Sequence, residues 1–512
     1  MRKFLALALV MVLALFIFTA CGGNGNDNDT GDNATNGSHT VDGGQTTDGN
    51  NAGQTPPQEQ IPPGYGNGQD ENGQNDNEQE STPTENAPPA TTSDPPPQAG
   101  PTPTWGRVEQ IVPSDGTSTM VITDDGTLWA WGAGIRDVMG DGSTAQRESP
   151  IRIMENITAA SPMGGSSAMV ITTAGELWGW GENGQGQLGN GTLMSSQTPI
   201  HIMDDVRAVS AVGHNVMAIT TDGTLWVWGA GSDGQIGNGS THHSTSPVRI
   251  MDNVESVFAG NGNTFAITTN GELWAWGWNG QTRGAVRADP SPMGRLGDGT
   301  NQRRTTPVHI MDDVAEFFVF GCSKFAITTG GELWGWGQNS SGQLGDGTTY
   351  HRNSPVWIMD NVMTVSSVNS HTMVITADST LWGWGTNGHG QLGNGTTENS
   401  HIPIRIIDNV TAVSTANRRT MAITADGTLW GWGNNSSGHL GDGTTTHQNS
   451  PVRIMDNTLA VFSTNNHAMA ITSDGNLWGW GSNERGQIGN GTSGLGLRVL
   501  TPEMVSNEVS GE

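Results

Sequence analysis

The side chains of this 512-residue chain best suited to binding chemistry are three histidines, two adjacent arginines and one cysteine, and all recur at one place in a repeating sequence. They lie in the pairs His214-Asn215, Cys322-Ser323, Ser370-His371, Arg418-Arg419 and Asn466-His467. The equivalent pairs in the other repeats are Thr117-Ser118, Ser166-Ser167 and Gly262-Asn263. Arginine that loses water on contact is over-represented among the residues that dominate interface energies, so these pairs read as a binding rim. Three imidazoles could also ligate a metal. His214, His371 and His467 come from non-consecutive repeats, however, and neither a metal nor any other cofactor is expected. The pairs contain no Asp or Glu, so the paired carboxylates that glycoside cleavage uses are missing from the rim. An extracellular enzyme acting on polysaccharide is therefore the secondary reading, and a non-enzymatic binding module the first.

A second feature breaks the repetition. The fourth repeat holds twelve extra residues between Trp278 and Arg295, with Arg283, Arg287 and Arg295 among them. A basic protrusion on an acidic body could engage an acidic partner; a tolerated loop extension is the plainer alternative.

Two motifs that suggest cofactors do not hold up. Gly184-Gln185-Gly186-Gln187-Leu188-Gly189 fits the dinucleotide fingerprint, as does the stretch 388–393. That fingerprint needs a helix opening at the third glycine, with its N-terminus on the pyrophosphate. Asn-Gly-Thr follows instead, which makes the segment a turn. The Gly-[Asn/Asp]-Gly-[Thr/Ser] turns carry Asp298, Asp346 and Asp442 but Asn190, Asn238, Asn394 and Asn490. Asn and Asp share a tolerance of the left-handed backbone but not a charge, so their interchange favours a turn over metal binding.

The elements that must position the rim are legible in the repeat. Leu-Trp-x-Trp-Gly begins at Leu128, Leu177, Leu225, Leu273, Leu333, Leu381, Leu429 and Leu477, mostly 48 residues apart. A fixed period of this length signals a propeller or solenoid. In the third copy, Val206–Ser210 and Val216–Thr220 are short apolar strands, and Asp222-Gly223 is a hairpin signal before Leu225–Gly229. Pro247 opens Pro-Val-Arg-Ile-Met, a strand suited to an edge because proline has no N–H. Four strands per repeat make one propeller blade. The fold class is all-β, a propeller of four-stranded blades. Eight blades are favoured, and seven with an appended unit is the runner-up. The two Trp of each motif stand two residues apart and share one face of their strand. The residue between them is small, which lets one blade nest on the next.

Ahead of the repeats, Arg2 and Lys3 precede an apolar run from Phe4 to Phe18. As helix it reaches about 22 Å, short of the ~30 Å hydrocarbon layer, and it reads as a signal peptide over residues 1–20. Phe18-Thr19-Ala20-Cys21 resembles a bacterial lipobox, with Phe where Leu is usual, and makes Cys21 the lipidation site. Residues 21–104 are rich in Asn, Gly, Asp and Pro, too polar to bury a core, and are expected to be a disordered tether. The propeller then spans 105–505 and a tail 506–512. Placed outside the membrane and held only by its lipid, the chain is expected on the bacterial cell surface. The formal charge of −28 repels phosphate backbones, which disfavours nucleic acid as a partner. The expected partner is a protein or a cell-wall glycan, and the chain itself is expected to be monomeric.

From Trp105 to about Val505 the chain resembles the regulator-of-chromosome-condensation repeat family. The likeness rests on Ser370–Thr376, Leu381-Trp382-Gly383-Trp384-Gly385, Gly390-Gln391-Leu392-Gly393 and Pro403, and on the recurrence of these elements. It implies a propeller, commonly of seven blades. Guanine-nucleotide exchange, the activity of the eukaryotic namesake, does not carry over to an exported protein that never meets a nuclear GTPase. Ultraviolet sensing, known for a plant member, needs Trp where this chain has Asn369-Ser370 and Asn417-Arg418.

Overall fold

The computed structural model describes residues 105–112, 117–133, 139–163, 166–260, 262–280, 294–368, 370–416 and 418–505. The signal segment, Cys21, the tether, Arg283, Arg287 and the tail lie outside the described residues.

The described residues form thirty-two strands and no helix. The strands make eight four-stranded sheets, each an antiparallel meander of four consecutive strands. In the third blade the strands are Val206–Val212, Asn215–Thr220, Leu225–Gly229 and Ser244–Met251. Pro247 lies in the last of these, which pairs on one side only. The hairpin at Asp222 forms as the sequence suggests. Its carboxylate accepts from the Thr220 hydroxyl at 2.6 Å and from the Thr224 N–H at 3.0 Å, while Gly223 takes φ 82°.

First strands of successive blades pack on one another and lie nearest the axis. Loops joining strands one to two and three to four therefore share one face, here the upper. The hairpins joining strands two to three and the blade-to-blade connections make the lower face.

Eight apolar clusters hold the ring, one per seam. At the first seam, Ala130 and Met120 of blade 1 meet Trp180 and Val170 of blade 2. At the last, Met469 and Leu477 of blade 8 meet Trp131 and Val121 of blade 1, so the ring is closed with eight blades. Trp105 sits edge-on to Trp129 and Trp131 at that seam, with centroids 6.0 and 5.7 Å away. The Val108 N–H donates to the Gly475 carbonyl at 3.2 Å across the same seam.

The two Trp of each motif share a face but not a depth. The second, from Trp131 through Trp480, is 0% exposed in every blade. Removing such a ring from water contributes about 5 kcal/mol gross. Each of seven donates its indole N–H to a main-chain carbonyl of the preceding blade, at 2.9–3.3 Å. The first Trp is half-buried in every blade but the first. In six blades it lies across from an Arg or His of the edge strand, as Trp178 does from His201, whose rings meet edge-on at 5.4 Å. In blade 5 it faces Trp357 and in blade 8 Met504.

Candidate functional site

The accepting carbonyl belongs to one residue of the Gly-Gln-x-Gly turn after the third strand. It is Gln187, Gln235, Gln343, Gln391 or Gln487 in five blades, Arg295 in blade 4 and His439 in blade 7. The glutamine side chain steadies the turn, because its Oε1 accepts the N–H two residues earlier at 2.8–2.9 Å. The second glycine is required by close approach: a Cβ on Gly189 would lie 2.5 Å from the Trp228 indole nitrogen. The dinucleotide-like stretch is thus part of the seam.

The rim pairs sit on the upper face, where the first strand turns into the second. The structure divides those at 214, 418 and 466 between solvent and seam, while Ser166-Ser167 and Cys322-Ser323 are wholly buried. Successive residues of a strand point opposite ways, so in the divided pairs the two members have different fates. His214 and Arg418 are exposed. His214 keeps a contact between its Nδ1 and Gln187 Nε2 at 3.2 Å, and Arg418 adopts φ 60°. The second members turn into the seams. Asn215 Nδ2 donates to Thr264 Oγ1 of the next blade at 3.2 Å. The Ser323 hydroxyl donates to the Gln338 carbonyl at 2.9 Å, and Cys322 beside it is also buried. His371 Nε2 lies 3.2 Å from Thr420 Oγ1, and His467 Nε2 3.3 Å from Thr119 Oγ1.

Arg419 departs most from the sequence reading. It is 1% exposed, not a rim contact. Its Nε donates to Ser463 Oγ at 3.1 Å, Nη1 to the Asn465 carbonyl at 3.3 Å, and Nη2 to the carbonyls of Thr464 and His467. Burial pulls its guanidinium down to about 9, still charged at neutral pH. Asn215, Ser323, His371, Arg419 and His467 are therefore clasps between or within blades. Arg295 is likewise buried in a seam and belongs to the turn, not to an exposed protrusion.

Two signals were present in the repeat and were not used. Aligning the Gly-Gln-x-Gly turns singles out Arg295 and His439. Aligning the Asn/Asp turns shows that Asp141, Asp298 and Asp346 each have Arg six residues on, where the Asn turns at 190, 238 and 394 have Ser. Arg147, Arg304 and Arg352 pair with those carboxylates at 2.6 Å. Burial alone would raise the Asp298 carboxyl, but hydrogen bonds from Arg304, Thr300 and Asn279 outweigh it and hold it below the usual range. The Asn/Asp interchange thus serves the turn and, with Asp, an ion pair.

Two imidazoles on this face are held neutral. Burial pushes His371 from 6.5 down to about 4. Burial, followed by the charges of Arg419, His467 and Arg498, pushes His439 down to about 2. In the unfolded chain both would take up a proton that the folded protein refuses. Their contribution is complete above about pH 6.5 and is lost as pH falls, at roughly 1.4 kcal/mol per unit for each group. His439→Gln, which restores the turn residue of other blades, is expected to flatten the loss of stability between pH 7 and pH 5. Urea midpoints at the two pH values measure it; an unchanged difference would count against the neutral His439.

Variable side chains crown the same face. Leu193, Met194 and Tyr350, in the loops before the edge strands, are 57, 76 and 66% exposed. The framework beneath them repeats around the ring, so what distinguishes one sector from another is these loops and the first members of the pairs.

A closed ring of such blades defines a repeat β-propeller whose variable chemistry lies on one face. The RCC1-like domain family model matches residues 65–368, and models of the regulator of chromosome condensation (RCC1) repeat match within 364–487. The chain belongs to the RCC1-like family. Among solved structures it is similar to human WBSCR16, at 20% identity over 67% of this chain and 98% of that one, with a TM-score of 0.51. It is also similar to Prp20p from Saccharomyces cerevisiae, at 16% identity over 70% and 94% of the two chains, with a TM-score of 0.50. Prp20p is described together with its binding to Gsp1p and histones. At these identities the likeness is one of fold. No curated protein matches the chain in sequence.

Proposed function

We propose that this chain is a binding module tethered to the bacterial cell surface, with the propeller recognising a protein or a cell-wall polymer through its upper face. The observation that carries this reading is the division of the rim pairs at 214, 418 and 466 between solvent and seam. The second member of every pair is buried and closes the ring, while the first members His214, Arg418 and Asn466 differ from one another and stand in solvent. Selection for folding accounts for the buried set and leaves the exposed one free to specify a partner. The basic start, the apolar run and Cys21 are the sequence features that support export and a lipid anchor in this reading. No carboxylate occupies the rim pairs, which favours binding over glycoside cleavage. The test is capture: residues 105–505 on a solid support, offered cell-surface proteins and wall fragments. One saturable ligand is expected, and Arg418→Glu is expected to weaken it at least tenfold. Failure to capture anything from either fraction would overturn the reading.

A further inference from the structure

The seam between blades 4 and 5 carries a chemistry that no other described seam has. Arg295 stands in the turn where five blades have Gln. Lys324, facing it from blade 5, stands where four blades have Thr119, Thr264, Thr372 or Thr420. Each of those hydroxyls donates to the carbonyl of the opposing turn residue at 2.8 Å. Lys324 does not: its Nζ donates to the Gly321 carbonyl at 2.7 Å and lies 5.9 Å from the centre of the Phe265 ring.

Both cations are enclosed, Arg295 at 3% exposure and Lys324 at 0%. Among the described residues, the Nε and Nη2 of Arg295 meet no acceptor. These two nitrogens share one edge of the guanidinium, the edge that takes both oxygens of a carboxylate or phosphate side by side. Leaving such donors buried and unmet is costly. Asp233, from the turn of blade 3, offsets the charge of Arg295 in part. Lys324 has Arg295 itself as its electrostatic neighbour, so the repulsion adds to the burial that already pushes its ammonium well below the usual lysine value. Only two lysines occur in the chain, and one of them is here. Two departures from the repeat, on facing elements and of the same sign, are what a site for a negative ligand requires.

We propose that this seam binds a small oxyanion, a carboxylate or a phosphate, seated on the Nε–Nη2 edge of Arg295 with the Lys324 ammonium as its second positive partner. The edge is shut off from water in the free protein, so occupancy requires the turn that carries Arg295 to shift outward. The site is independent of the partner-binding face proposed above.

The experiment uses the full-length chain in detergent at constant ionic strength, titrated with inorganic phosphate and, separately, with acetate. Thermal melting and calorimetry provide the readouts. Saturable binding at one site and a rise in melting temperature are expected with at least one of the two, and the responding anion identifies the source chemistry. The double variant Arg295→Gln with Lys324→Thr restores the repeat sequence. It is expected to melt no lower than the parent without added oxyanion and to lose at least tenfold in affinity. Arg418→Glu keeps the response, so the two proposals fail separately. No saturable response to either anion in the parent, or an equal response in the double variant, overturns the site.

Discussion

Trp384→Ala is expected to lower stability by about 3–5 kcal/mol, the range for truncating a large aromatic in a closed core. The ring is 0% exposed, its indole N–H donates to the Gln343 carbonyl at 2.9 Å, and a Cβ on Gly345 would lie within 2.7 Å of it. Alanine would leave a void that the turn of blade 5 cannot fill, and the Gln343 carbonyl would keep only the Thr372 hydroxyl as its side-chain donor. Trp382 shares the face of the strand but is half-buried, lying across from Arg405 of the edge strand. Its truncation is expected to cost about 1–2 kcal/mol, in line with partial burial. Urea denaturation of both variants measures the difference. Equal losses would mean that the two rings share the seam equally and that depth does not separate them.

Arg419→Ala carries the second large effect. Its guanidinium serves the Ser463 hydroxyl and the carbonyls of Thr464, Asn465 and His467, tying blade 7 to blade 8. Buried acceptors left without a donor cost about 1–3 kcal/mol each, offset in part by no longer burying a charge. A net loss of about 2–3 kcal/mol is expected. Arg419→Lys should recover little of it, since an ammonium cannot reproduce the planar fork. Arg418→Ala, one residue away and exposed, is expected to stay within about 0.5 kcal/mol of the parent. Denaturant midpoints for the three variants check the order; an Arg419→Ala protein as stable as the parent would remove the clasp.

Much of the ring was legible before any coordinates. The period of Leu-Trp-x-Trp-Gly, the Asp-Gly hairpins and the proline of the edge strand led to four-stranded blades, and their count led to eight. These features are local, set by turn chemistry and by which residues can share a strand face. Depth was not legible. Trp382 and Trp384 are two residues apart on one face, and only the height of the neighbouring turn decides which is sealed. The same limit applied to Arg418-Arg419. That dipeptide divides between solvent and seam, but which member turns inward depends on where the hairpin ends. Arg295 and His439 could have been found by aligning the turns, because their repeats differ there in charge and not merely in size. Arg283, Arg287 and Cys21 lie outside the described residues.

The upper face as the binding face is tested most directly by one comparison of capture. Full-ring protein carrying Arg418→Glu on the upper face is set against the same protein carrying Arg249→Glu, which lies toward the lower end of its edge strand and pairs with Asp252 at 2.6 Å. Both positions are exposed, so neither substitution should unfold the ring. Recovery of the captured cell-surface ligand is expected to fall at least tenfold, about 1.4 kcal/mol, for Arg418→Glu and to stay at the parent's level for Arg249→Glu. The opposite order would place the partner on the lower face and contradict the account.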